Sequence, residues 1–151
     1  MTTTQTLTSP RFGTIEFEQL DVVTISDGVL GFPDCNQFLI LQHKEGSPFR
    51  WLQSLNMPEI AFLVVEPNHF VPDYALQVHP SQLDSIGLTD PATSLVYTIV
   101  TIPRGNPEGM TLNLAGPIVI NVANNQARQL VLDDPKWPLK YPAIPPEAKA
   151  A

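Results

Sequence analysis

The sequence predicts an all-β fold, mostly antiparallel: a small barrel-like single domain with one short helix. Three observations carry this. Short apolar or alternating runs recur along the chain, with Gly, Pro, Asn or Asp between them. Helical periodicity is nearly absent. The 151 residues are 43% hydrophobic and 15% charged, which suits one packed core and is too apolar for a disordered chain. Closure into a barrel is preferred because it hides strand edges.

Taken in order, residues 1–10 read as a disordered, Thr-rich leader, and residues 11–142 as the barrel domain. Thr14 to Glu18 alternates polar and apolar, the period of a half-buried strand. Asp21 to Ile25 is a second run, closed by the turn residues Ser26-Asp27-Gly28. Gly31-Phe32-Pro33-Asp34 is a further break. Strands are then expected at Phe38–Leu41, Arg50–Leu55, Ile60–Val65, Tyr74–Val78, Leu95–Ile102, Met110–Leu114, Ile118–Val122 and Gln129–Leu132. Asn124-Asn125 suits a tight hairpin because Asn tolerates positive φ. The one helix is placed at Pro80–Ile86, with Pro80 in its first turn and Gly87 ending it. From Asp134 onward prolines exclude helix and central strand, although Trp137, Leu139 and Tyr141 can lay the segment against the body. Residues 143–151 are expected as a Pro-rich flexible tail.

Charge narrows the function. Fifteen acidic and eight basic residues leave a net charge of −7. Nucleic-acid affinity rests largely on Lys and Arg at phosphates, so the balance argues against direct nucleic-acid binding and for a basic or neutral partner. From Trp51 through Pro103 there is no Lys or Arg, while Glu59, Glu66, Asp73, Asp84 and Asp90 fall in that span. A lone cysteine, Cys35, allows no intrachain disulfide and fits a reducing compartment. The N-terminus has neither the basic start nor the apolar run of a signal peptide, and no stretch is long and apolar enough to span a bilayer. A cytoplasmic protein is expected, with no membrane association.

Catalytic signatures are missing: no nucleophile elbow, phosphate loop or dinucleotide fingerprint occurs. Cys35 lacks a recognisable base and oxyanion site. His69, Asp73 and His79 stand close in sequence but no second ligand motif supports a metal. The expectation is therefore a protein that is not an enzyme and needs no cofactor. Aromatics are more informative. Phe49 and Trp51 share one strand face, and Phe70 and Tyr74 lie close together around Asp73. Such rings are core residues or anchors for a protein partner. Stacking on single-stranded RNA would be the other use of a barrel with exposed aromatics, but it needs interleaved cations that this span lacks.

Several segments together resemble the FliW flagellar assembly factors. These are Gly28-Val29-Leu30-Gly31-Phe32-Pro33, Ser47 to Ser54, Ala61-Phe62, then Pro67, Phe70 and Asp73-Tyr74. The match resumes at Thr111 to Leu114, Pro117 to Asn121 and Trp137 to Pro142. Two positions depart from the family's habit: Gly116 stands where Ala is common, and Tyr141 where His is usual. The resemblance implies a partner switch with no cofactor and no reaction. Such proteins bind flagellin and, once flagellin is exported, bind and antagonise CsrA, the regulator that represses translation of flagellin mRNA. A flagellin chaperone that does not bind CsrA is the nearer alternative. On this reading Glu66, Phe70, Asp73 and Tyr74 are the candidate partner-binding residues, with the two carboxylates toward CsrA and the two rings serving either the core or an apolar groove.

Overall fold

Ile25, Phe38, Leu52, Val64, Ile118 and Ile120 are almost wholly withdrawn from water. They come from widely separated runs, and burying each contributes roughly 1.5–3 kcal/mol. What brings them together is a closed barrel. The computed structural model describes residues 4–42, 44–75, 81–89 and 93–144. Its strands are β1 (Gln5–Ser9), β2 (Gly13–Phe17), β3 (Val23–Ile25), β4 (Gln37–Leu41), β5 (Phe49–Ser54), β6 (Ala61–Val65), β7 (Ser94–Thr101), β8 (Thr111–Leu112), β9 (Ile118–Asn121), β10 (Gln126–Gln129) and β11 (Tyr141–Pro142). One short helix, α1, spans Ser81–Asp84.

Seven strands close the barrel in the order β7-β6-β5-β4-β3-β10-β9 and back to β7. All pairings are antiparallel except β3 with β10, where Thr24 lies opposite Gln126. β7 is the longest strand and serves three partners. It pairs with β9 over Ser94–Tyr97, with β6 at Thr98 and Ile99, and with β8 at Val100 and Thr101. β8 then carries β11 as an outer extension. A second cluster, built on Val65, Tyr74, Leu112, Leu114 and Trp137, fills the space beneath that extension.

Two turns depend on residue type. Gly28 has φ +73°, and a Cβ there would lie 2.7 Å from the Phe32 carbonyl oxygen, so the loop that caps the barrel folds directly onto it. Asn125 adopts φ 56° in the β9–β10 hairpin and its N–H donates to the Asn121 carbonyl (2.7 Å), as the Asn pair leads one to expect.

The structure corrects several expectations. Residues 5–9 of the expected leader form β1, paired with β2 along its length. Thr is strand-prone, Leu7 and Ile15 pack against Leu39 and Leu41, and the buried Ser9 hydroxyl donates to Gln53 Oε1 (3.0 Å). The last barrel strand is Gln126–Gln129 and not Gln129–Leu132, because the chain reverses at Asn125. Tyr74 and Ala75 lie outside any strand, and residues 76–80, including Pro80, fall outside the described residues. The helix ends at Asp84, two residues short of Ile86; Gly87 follows at φ 68°. At the C-terminus, Ala143 is buried and its N–H donates to Met110 (3.1 Å), so the packed body runs past residue 142. Leu139 is exposed, whereas Trp137 is buried. Residues 145–151 lie outside the described residues.

Candidate partner-binding surface

The segment after β6 is shaped by its own sequence. Val65 ends the strand, and Pro67 starts a 3-10 turn over Pro67–His69, where its lacking N–H costs nothing. Asn68 then pins the following loop: its side-chain amide donates to the Tyr74 carbonyl (2.8 Å). Buried Pro67 and Val71 anchor the segment, leaving Glu66, Asn68, His69, Pro72 and Asp73 exposed.

The four candidate residues separate into two kinds. Tyr74 belongs to the core. It is 6% exposed, meets Trp137 edge to face at 4.8 Å, and donates its hydroxyl to the Leu114 carbonyl (2.7 Å). Burial raises its phenol well above the ordinary value. Of the two roles the sequence left open to Tyr74, core or apolar groove, the structure shows the core: its ring and hydroxyl are both engaged inside the protein. Phe70 is half-buried between Phe49, at 6.0 Å, and His69, at 5.0 Å. Glu66 and Asp73 are exposed. Asp73 approaches Lys136 at 3.9 Å, with side chains 72% and 63% exposed respectively, a pair that contributes little in water.

Glu66 lines a polar groove of about 500 Å³ with Asn68, His69, Ser94, Leu95 and Val96. Its charge reaches further in. The Tyr97 phenol is raised chiefly by burial, with Arg50 pulling it down and Glu66 pushing it up. Of the other acidic residues, Glu59 and Asp84 are exposed and Asp90 lies outside the described residues. Cys35 is fully buried in the barrel. Of the residues weighed as metal ligands, His79 lies outside the described residues, and no cluster of three or more metal-capable side chains occurs among those described. No described helix is long and apolar enough to cross a membrane.

A second groove was not foreseen. About 420 Å³ in volume and apolar, it lies between the start of β6 and the end of β7, lined by Trp51, Ala61, Leu63, Val100 and Ile102 among others. Trp51 is held there between Phe12, at 5.7 Å, and the Arg11 guanidinium, 4.4 Å from its ring.

The family model described as FliW protein matches residues 6–144 of this chain. The chain belongs to the FliW family. A FliW protein of Magnetococcus marinus, a flagellar assembly factor by name, is 43% identical over 131 residues, covering 85% of this chain and 81% of its own. A flagellar assembly factor FliW of Caldanaerobacter subterraneus is 37% identical over 139 residues, covering 91% and 92%. A crystal structure of the flagellar assembly factor FliW superposes with a TM-score of 0.85 at 30% identity, over 93% of this chain and 98% of that one. The FliW match begins inside β1, at the strand that replaced the expected leader, and ends at Ile144, just past the buried Ala143.

Proposed function

We propose that this chain is a cytoplasmic partner switch in flagellar assembly. It binds flagellin; when export removes flagellin, it binds CsrA and relieves repression of flagellin mRNA translation. It works by exclusion between partners, without a cofactor and without catalysis. Membership of the FliW family over residues 6–144 is the observation that supports this most directly. The surface chemistry agrees. Exposed Glu66 and Asp73 lie in a span without Lys or Arg, which suits a basic RNA-binding protein and repels RNA itself. Exclusion requires only that the two partners overlap or bias a shared element, and its size is their coupling free energy.

Calorimetric titration of the purified chain tests this. Flagellin and CsrA should each bind, and saturation with flagellin should suppress heat from CsrA. A chain that ignores both partners overturns the reading. So does a chain that shifts flagellin-leader RNA at physiological salt without CsrA, which would make it a single-strand-binding barrel.

A further inference from the structure

The ladder between β6 and β7 is shorter than its strands allow. Val64 lies opposite Ile99 and Val65 opposite Thr98, and the ladder stops soon after. Yet β6 begins at Ala61 and β7 continues to Thr101. The same register carried on would set Leu63 opposite Val100 and Ala61 opposite Ile102. Leu63 and Val100 still bond, since they close the Val64–Ile99 pair; beyond them Ala61 and Ile102 do not pair, and both line the apolar groove.

Strand parity shows which backbone groups face that groove. Ser54 N–H donates to the Ile60 carbonyl (3.0 Å), so even-numbered residues of β6 address β5 and Ala61 addresses the opposite side. Asn113 N–H donates to the Ile99 carbonyl (3.0 Å), so odd-numbered residues of β7 address β8. Ile102, one residue beyond β7, turns its backbone the other way. Ala61 and Ile102 thus bring N–H and C=O groups to an apolar groove without a ladder partner. Open strand edges of this kind accept an added strand. The edges select an extended backbone, and the walls select apolar side chains.

Charge at the rim selects further. Arg11 sits over Trp51, and Arg104 follows Ile102 by two residues and is exposed. Arg11 is thus a cation at the groove wall, and Arg104 is a second one close in sequence to Ile102, in a chain of net charge −7. Glu59 lies two residues before the start of β6. The rim favours an acidic flank on the occupant and disfavours a basic partner.

We propose that this groove takes an extended apolar segment of the partner, flanked by an acidic residue, as a strand added to the open edges of β6 and β7. This rests on the reading above that the partner is flagellin, and it separates flagellin from the acidic surface at Glu66 and Asp73. β6 joins the two, with Ala61 at its start and Glu66 directly after its end.

Hydrogen exchange on the full wild-type chain tests the proposal without a substitution. Adding flagellin should slow exchange at the amides of Ala61 and Ile102. Ile102→Asp, at an exposed position, should weaken flagellin binding about tenfold or more. Arg104→Glu should weaken it further at low salt than at high salt, and Leu20→Asp on a distant exposed site should leave it unchanged. If wild type binds flagellin while these amides stay unprotected and Ile102→Asp binds as wild type, the groove proposal is overturned and the flagellin reading stands. A wild type that does not bind flagellin overturns both.

Discussion

The rings of Tyr74 and Trp137 meet edge to face at 4.8 Å. The contact ties the loop after β6 to the closing segment of the chain, and the Tyr74 hydroxyl fastens the same loop to Leu114 (2.7 Å). Tyr74→Phe keeps the ring and strands a buried carbonyl. It should cost about 1–3 kcal/mol of stability. Trp137→Ala removes a buried ring and should cost about 3–5 kcal/mol. Urea unfolding of both variants checks this. Equal small losses would mean that the closing segment is not part of the cooperative unit.

Alkaline pH should act through the same residue. Burial raises the Tyr74 phenol, and burial is also the largest influence on Tyr97, opposed by Arg50 and assisted by Glu66. A folded-state pKa above the unfolded value of 10.0 gives stability that is complete below 10.0 and lost as pH climbs beyond it. Melting temperature should hold level up to that point and then fall. Tyr74→Phe, having lost one such group, should fall less steeply.

Gly28 and Gly31 offer a controlled contrast. Both have positive φ, but only Gly28 has backbone where a Cβ would go; around Gly31 nothing lies within 4 Å. Gly31→Ala should cost roughly 1–2 kcal/mol, the penalty of left-handed backbone alone. Gly28→Ala must also displace Phe32 and Pro33 and should cost clearly more, on the order of 3 kcal/mol. Thermal melts of the two variants decide it, and equal losses would show that the capping loop moves aside freely.

Reversing Glu66 and Asp73 to Lys should slow association with CsrA and flatten its dependence on salt. The fold should survive, since both carboxylates are exposed and the Asp73–Lys136 pair is solvated. Stopped-flow association at two ionic strengths, with circular dichroism as the check on folding, measures this. Unchanged rates in folded protein would place the CsrA interface elsewhere.

Barrel strands were legible because alternation is local: each of β3, β4, β5, β6, β7 and β9 overlaps an expected run, as does β2 outside the barrel. β1 was hidden because only Leu7 and Ser9 of it turn inward, and Ser9 is polar, satisfied by a Gln53 far along the chain. Tyr74 stayed open between core and groove for a similar reason. Beside Asp73 it looks like part of a surface patch, and only Leu114 and Trp137, both distant in sequence, make it core. Glu66 and Asp73 read correctly as exposed because turn residues carry them out of the sheet. The apolar groove was illegible: it arises from where a ladder stops, and no run of residues encodes that by itself.

Closure of the barrel by β3 against β10 has a kinetic meaning. Thr24 and Gln126 are about a hundred residues apart, and joining such distant segments makes folding slow, on the order of milliseconds to seconds for β topologies. On the ribosome, β3 emerges early and must wait unmatched until nearly all the rest has been synthesised. Throughout that interval the nascent chain shows half-built staves with sticky edges. The hairpin of β1 and β2, made first and clasped over Leu39 and Leu41, is placed to shield one side of the unfinished sheet while it waits.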